Sequence, residues 1–205
     1  MKSRFRRPAG QLRYKRMFVI VAEGSVTEQE YFHLLNDESI IHVRCLKHRR
    51  NLSPKEALLC VREYVRKESL KKFDEAWVVV DKDFWPEEHL TELHGWAQSR
   101  ENFGFALSNP KFEYWLLLHF EDAKGVAKGE DCNKKLAKYL PDYNKHVDGR
   151  KFTREKIQSA TDRAKKRDIP PCADWPRKPG TTVYKLVEKI LESSTRCHPS
   201  PRSSQ

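Results

Sequence analysis

The sequence predicts an α/β fold in which helices flank a mostly parallel sheet. Two short apolar runs, Phe18 to Ala22 and Trp77 to Val80, are continuous rather than alternating, which is typical of strands covered on both faces. Helical patterns follow both runs, and this alternation of strand and helix is the pattern of α/β proteins. In such sheets ligands bind beyond the carboxyl ends of the strands.

Residues typical of helix starts support the predicted helices. Ser25 and Glu28 have the spacing of a capping box. Ser53 and Pro54 supply an N-cap and a proline in the first helical turn, and Pro110 opens the fourth helix. The predicted order is strand 18–22, a helix after residue 25, strand 40–46, helix 54–70, strand 77–81, helix 86–99, strand 103–107 and helix 111–120.

A C-terminal helical extension is expected beyond residue 120. Its helices are predicted at 132–140, 153–167 and 182–192, and the last of them places four apolar residues on one face that docks on the sheet. We expect a single domain over 17–192, with its helical part at about 121–192. A basic disordered tail at 1–16 and a second disordered tail at 193–205 are expected to flank it.

Composition favours a polyanionic partner. Lys and Arg number 40 against 29 Asp and Glu, a net charge of +11, which suits a polyanion but does not by itself separate nucleic acid from a membrane surface. No apolar stretch approaches the roughly 20 residues of a membrane span, and the N-terminus lacks a signal-peptide core. The five cysteines are scattered without a CxxC pair. We therefore expect a cytoplasmic protein with reduced thiols and no membrane partner.

Acidic residues stand directly after two of the predicted strands. Glu23 follows the first strand and precedes Gly24, and Asp81 and Asp83 form an Asp-x-Asp pair after the third. Two carboxylates about 4 Å apart repel by roughly 4 kcal/mol at an effective dielectric near 20. A divalent cation would remove that cost, and oxygen ligands favour Mg or Mn. The alternatives are a loop acid in a turn for Glu23 and a helix cap for an aspartate.

Two further acids are candidates for the same site. Glu28 is a candidate catalytic residue, although the capping box explains it equally well. Glu113 lies early in a helix that is apolar on nearly every side, so its carboxylate needs a cation or hydrogen-bond donors, and it is a candidate metal ligand. His119 lies about 120° around the helix from Glu113 and is predicted to be a packing histidine.

If the strands run parallel, Glu23, Asp81 and Asp83 emerge on one rim, at the carboxyl ends of the strands. Basic residues are expected near the same rim. Lys47, Arg49 and Arg50 follow the second strand and, with Lys82, are candidates for contacts with nucleic-acid phosphates. A solvated loop is the commoner explanation of such a run. Trp175 is a candidate ring for stacking on a base, and an exposed basic face is the alternative for its surroundings.

Three ordered blocks carry a family resemblance. They are residues 21–32 with Glu23 and Glu28, residues 81–85 with the Asp-x-Asp pair, and residues 108–120 with Glu113. Together they resemble the RloB-like family, a Toprim-related group from bacterial restriction and abortive-infection loci, over about residues 17–192. The resemblance implies a Toprim-like (Rossmann-like) fold in which Glu23 and the Asp-x-Asp pair bind Mg.

The leading hypothesis is a Mg- or Mn-dependent Toprim-type nuclease of bacterial anti-phage defence. Neither a topoisomerase tyrosine domain nor a primase zinc module is recognisable, which leaves nuclease as the best fit among Toprim relatives. Glu23, Asp81 and Asp83 would hold the cation, and Glu23 or Glu28 would be the general base.

The substrate remains open between DNA and RNA, with tRNA included. The alternative is a non-catalytic nucleic-acid or nucleotide-sensing module of a defence system. A weaker third idea is metal-assisted phosphoryl transfer to a small nucleotide; no glycine-rich phosphate loop supports an ATPase. A homodimer or a partner protein from the same defence system also stays open.

Overall fold

The computed structural model describes residues 15–37, 39–82 and 85–195. Asp83, one of the predicted metal ligands, lies outside these described residues, as do residues 1–14 and 196–205 of the two predicted tails. The elements in chain order are β1 (Arg16–Ala22), α1 (Thr27–His33), β2 (Ile41–Cys45), α2 (Pro54–Lys67), β3 (Glu75–Asp81), α3 (Glu87–Gln98), β4 (Phe103–Asn109), α4 (Phe112–Leu118), α5 (Gly129–Leu136), a 3-10 turn (Gly149–Lys151), α6 (Arg154–Arg167), β5 (Gly180–Thr181) and α7 (Val183–Thr195).

The strands form one sheet in the order β2-β1-β3-β4-β5. The first four strands are parallel, and β5 pairs antiparallel with β4. The order 2-1-3-4-5 is a common doubly wound arrangement, in which the ligand binds at the switch point between the first and third strands. Ala22 is in register with Val79 across β1 and β3, so the residues that follow them emerge together. The predicted α/β fold with a mostly parallel sheet is confirmed.

Helices cover both faces of the sheet. Phe18, Ile20 and Val79 belong to a core formed with α1 and α4 to α7, whereas Val21 and Val78 pack on the other face with α2 and α3. Successive side chains of a strand point to opposite faces, so burial on both faces explains the continuous apolar runs. The predicted apolar face of α7 is buried in the first core through Val183, Leu186, Val187 and Ile190.

The capping signal before α2 acts as predicted. The Ser53 N–H donates to Glu56 Oε2 at 2.8 Å, and the Glu56 N–H donates to Ser53 Oγ at 3.3 Å. These bonds satisfy two of the donors that a helix start leaves unpaired. The helix ends at Lys67, three residues before the predicted limit.

Several elements differ from the sequence-based prediction. The capping box at Ser25 is wrong, because α1 has Val26 as its N-cap and no side-chain cap. Helix α5 spans 129–136 instead of 132–140, because the Asp131 carboxylate accepts the N–H groups of Ala127 and Lys128 and fixes an earlier start. Strand β5 was not predicted because it has only two residues. Helix α7 continues through residue 195, into the range predicted as a tail.

Cys45, Cys60, Cys132 and Cys172 are free thiols, and Cys197 lies outside the described residues. Within the part of the chain that the structure describes, no helix combines the length and the apolar character needed to cross a bilayer.

Candidate active site

The carboxyl ends of β1 and β3 bring Glu23 and Asp81 together at the switch point. The Glu23 N–H donates to the Val79 carbonyl at 2.8 Å, which continues the strand pairing. The Glu23 carboxylate accepts the Asp81 N–H at 3.1 Å and the Trp85 Nε1–H at 3.3 Å. These bonds orient a side chain that is 7% exposed. The shared rim expected for Glu23 and Asp81 is therefore confirmed.

A cavity of about 400 Å³ lies at this rim, and we call it the acid-rich cavity. Its described walls carry four carboxylates and two ammonium groups, although the chain as a whole has a net charge of +11. An excess of carboxylates attracts a cation. The described lining residues are Glu23, Gly24, Ser25, Val26, Thr27, Glu28, Asn51, Asp81, Lys111, Phe112, Glu113 and Lys145.

Glu28 faces the acid-rich cavity from the first turn of α1. Its carboxylate lies over Gly24 so closely that a Cβ at residue 24 would stand 2.0 Å from Glu28 Oε2. Burial raises the pKa of Glu28 to about 6; the negative charge of Glu113 acts in the same direction and the ammonium of Lys145 opposes it. The glycine after the first strand thus provides space for a buried carboxylate that titrates near neutral pH.

Glu113 projects into the same cavity from the first turn of α4. Its Oε1 accepts Lys145 Nζ at 2.6 Å and the Tyr143 hydroxyl at 3.0 Å, and its Oε2 lies 3.6 Å from Lys111 Nζ. Burial acts to raise the pKa of Glu113, but Lys145 and then Lys111 outweigh burial and lower it. The sequence-based argument that this carboxylate needs partners is confirmed, and the described partners are donors from the protein itself.

Lys111, Lys145 and Tyr143 are site residues that sequence reasoning missed. Tyr143 and Lys145 lie in the polar stretch between α5 and the 3-10 turn, where the sequence gives little local signal. The Thr27 hydroxyl fixes that stretch by donating to the Lys145 carbonyl at 2.6 Å, and it lies 3.1 Å from the Tyr143 hydroxyl. The one indication of these residues in the sequence was that a buried Glu113 carboxylate needs a cation or hydrogen-bond donors.

The four predicted phosphate-binding residues lie at the same end of the sheet as the acid-rich cavity. None of them is among the described residues that line this cavity. Lys47, Arg49 and Arg50 are exposed in the loop after β2. The Arg50 guanidinium pairs with Glu56, and Lys82 Nζ lies 3.2 Å from Glu87 Oε1. That loop is tied to the end of β1, because the His48 ring nitrogen Nε2 lies 2.8 Å from the Ala22 carbonyl.

Two aromatic candidates are core residues. His119 Nδ1–H donates to the Trp115 carbonyl at 3.0 Å, and Nε2 accepts the Tyr31 hydroxyl at 3.0 Å. Burial lowers the pKa of His119 to about 3, so the ring is neutral and its predicted packing role is confirmed. The prediction of an exposed stacking ring is wrong, because Trp175 is 3% exposed and packs against Phe105.

The donor chemistry of the rim fits a hard divalent cation. Carboxylate oxygens are the preferred protein ligands of Mg²⁺ and Mn²⁺, and Glu23 and Asp81 line one cavity. Among the residues that the structure describes, no group of three His, Cys, Asp or Glu side chains is placed to hold a metal ion. The Asp-x-Asp pair is described only at Asp81, because Asp83 falls in the gap at 83–84.

Comparison with known proteins gives one match. The family model described as RloB-like protein matches residues 18–190, which is most of the chain. No curated protein and no solved structure matches the chain.

Proposed function

The chain belongs to the RloB-like protein family, and from that premise we propose that it is a Mg- or Mn-dependent nuclease of bacterial anti-phage defence. It would hydrolyse phosphodiester bonds in DNA or RNA. The observation that carries the proposal is the acid-rich cavity at the switch point of a chain that is otherwise strongly basic. A basic surface attracts a polyanion, and an acidic cavity within it accepts the polyanion's phosphate when a cation is bound there.

Glu23, Asp81 and Asp83 are the proposed cation ligands. Both oxygens of the Glu23 carboxylate accept a hydrogen bond, one from the Asp81 N–H and one from the Trp85 Nε1–H. The bonds from the Asp81 N–H and Trp85 hold the carboxylate in place before a cation binds, which lowers the entropy lost on binding. When bound, the cation would polarise the scissile phosphate and lower the pKa of an attacking water.

Glu28 is the proposed general base. Its carboxylate lines the same cavity as Glu23 and Asp81, and Gly24 leaves it the space to do so. With its pKa raised to about 6 by burial, the group is mostly ionised at about pH 7.5 and still basic enough to accept a proton from water. A base whose pKa lies near the working pH is the most effective one.

Lys47, Arg49, Arg50 and Lys82 are proposed to contact flanking phosphates. The first three are exposed, so they can reach a strand that passes over the rim. Arg50 would exchange its surface ion pair with Glu56 for a phosphate, at little cost because exposed ion pairs are screened by water and contribute little stability. These contacts are independent of base sequence.

The test is cleavage of labelled DNA, RNA and tRNA by the purified protein in Mg²⁺, Mn²⁺ or EDTA. Loss of a metal ligand removes several kcal/mol of transition-state stabilisation, so Asp81→Asn and Glu23→Gln should each lower the rate by at least about a hundredfold. Asp162→Asn, at an exposed position on α6, is the matched control and should keep full activity. Absence of cleavage by the unaltered protein under every condition, or unchanged cleavage by both site variants, would refute the proposal.

The charge excess alone supports a second candidate, a non-catalytic nucleic-acid-binding module. A net charge of +11 supplies sequence-independent affinity that needs no metal and falls with salt. Tight, salt-dependent binding in EDTA without turnover in any metal would favour this candidate. Metal-dependent cleavage that is lost in Asp81→Asn would exclude it.

A further inference from the structure

Glu113 holds two lysine ammonium groups at the wall of the acid-rich cavity. Lys145 Nζ donates to its Oε1 at 2.6 Å, and Lys111 Nζ lies 3.6 Å from its Oε2. The carboxylate is 3% exposed, and the two lysines lower its pKa against the effect of burial. It is therefore ionised at neutral pH, and together the three side chains carry one excess positive charge. We call Lys111 and Lys145 the lysine pair.

The backbone at Lys145 is held in an uncommon conformation. Its φ of 80° lies in the left-handed region, which costs a non-glycine residue roughly 1–3 kcal/mol and persists only where the surroundings enforce it. The Thr27 hydroxyl donates to the Lys145 carbonyl at 2.6 Å, and the Glu30 carboxylate accepts the Val147 N–H at 2.7 Å. Helix α1, which carries Glu28, thus also fixes the position of Lys145.

The ammonium groups of the lysine pair have more N–H donors than their contacts with Glu113 use. An ammonium group has three N–H donors, so one contact with Glu113 leaves the others free to meet a ligand. Lys145 keeps 63% of its side chain exposed and Lys111 keeps 19%. Lys111 also lines a second cavity of about 520 Å³, together with Lys128 and Glu130.

We propose that the lysine pair binds non-bridging phosphate oxygens of a nucleic acid and that Glu113 is a positioning residue for both ammonium groups. The inference rests on the proposed nuclease function and identifies the phosphate-binding half of the same cavity. It gives Glu113 a role other than the metal ligation that its sequence context suggested. The acids at the strand ends and the lysine pair then line different parts of one cavity of about 400 Å³.

Binding without metal tests this assignment separately from catalysis. The probes are fluorescein-labelled twelve-nucleotide DNA and RNA single strands, titrated in EDTA over a range of KCl concentrations and followed by anisotropy. Lys111→Gln and Lys145→Gln should each weaken binding on the order of tenfold. Each should also reduce the slope of log Kd against log salt by about 0.7, the value for one single-strand phosphate contact.

The controls separate positioning from folding. Lys145→Arg should restore most of the affinity, since it keeps the charge. Lys72→Gln removes an exposed lysine before β3, at the opposite end of the sheet, and should change neither affinity nor slope. Glu113→Gln leaves both ammonium groups charged but releases them, so it should lower kcat in Mg²⁺ at least about tenfold while the salt slope stays unchanged.

Each outcome bears on one proposal or the other. If Lys111→Gln and Lys145→Gln both stay within twofold of the Lys72→Gln control, or if the unaltered protein binds neither probe, the lysine-pair assignment is overturned. If that happens while Asp81→Asn still abolishes cleavage, the nuclease proposal stands alone. If the lysine variants lose affinity but the unaltered protein cleaves nothing in Mg²⁺ or Mn²⁺, the phosphate site stands and the nuclease proposal falls.

Discussion

Replacing Glu28 by glutamine should stabilise the folded protein at neutral pH while it removes the proposed base. Burial raises the pKa of Glu28 from its ordinary 4.5 to about 6, so the folded state disfavours the ionised carboxylate. Each pKa unit corresponds to about 1.4 kcal/mol, so the difference of about 1.5 between the two values amounts to about 2 kcal/mol. Glutamine has nearly the same shape and no charge, and it should recover that free energy.

The sign of the pH dependence follows from the direction of the pKa change. A folded-state pKa above the unfolded-state value means that the folded state binds more protons between about pH 4.5 and 6. The stability contributed by protonated Glu28 is therefore complete below about pH 4.5 and is lost as the pH rises through about 6. Glu28→Gln should gain about 2 kcal/mol at about pH 7.5 but less than half of that at about pH 5.

Urea unfolding monitored by circular dichroism at both pH values measures these gains. EDTA keeps divalent cations from neutralising the acid-rich cavity during the measurement. At about pH 7.5 the gain should also raise Tm by roughly 4–8 °C. Glu101→Gln, at an exposed position, is the control and should stay within about 0.5 kcal/mol of the unaltered protein. An equal gain at both pH values, or a loss at about pH 7.5, would refute the reasoning.

Two further predictions concern packing around the site. Gly24→Ala should lower cleavage at least about tenfold with little change in stability, because the new Cβ would stand 2.0 Å from Oε2 of Glu28 and its flexible carboxylate must move away. Gly95→Ala is the control: its Cβ would meet nothing within 4 Å, so this variant should keep full activity. Its free energy of unfolding should rise by roughly 0.5–1 kcal/mol. Equal cleavage by the two variants would contradict the role of Gly24. Tyr31→Phe removes the donor to the buried His119 Nε2 and should cost about 1–3 kcal/mol in urea unfolding, whereas a change below about 0.5 kcal/mol would show that the hydroxyl is not needed there.

Features with local causes were predictable from the sequence. The start of α2 depends on Ser53 and Glu56, three residues apart, and both capping bonds form. The positions of Glu23 and Asp81 follow from where two apolar runs end, because parallel strands bring those ends to one rim. The need of Glu113 for partners followed from the apolar character of its own helix.

Features with tertiary causes were not predictable. The residue that pairs with Glu113 at 2.6 Å lies 32 positions away, in a stretch without clear periodicity. Glu28 has capping-box spacing from Ser25, but its carboxylate faces the cavity because Gly24 leaves room for it. Spacing alone cannot distinguish a glutamate that caps its helix from one that faces a cavity. The contacts that decide between the two come from parts of the chain that meet only after folding.

The acid-rich cavity draws its walls from residues 23–28, 51, 81, 111–113 and 145, and this dispersion has a consequence for synthesis in the cell. The ribosome releases Glu23 and Glu28 first and Lys145 last, after more than a hundred intervening residues. A growing chain therefore carries acids and no completed site until most of the protein has emerged. The order of translation therefore delays the proposed activity until Lys145 has emerged and the cavity can form.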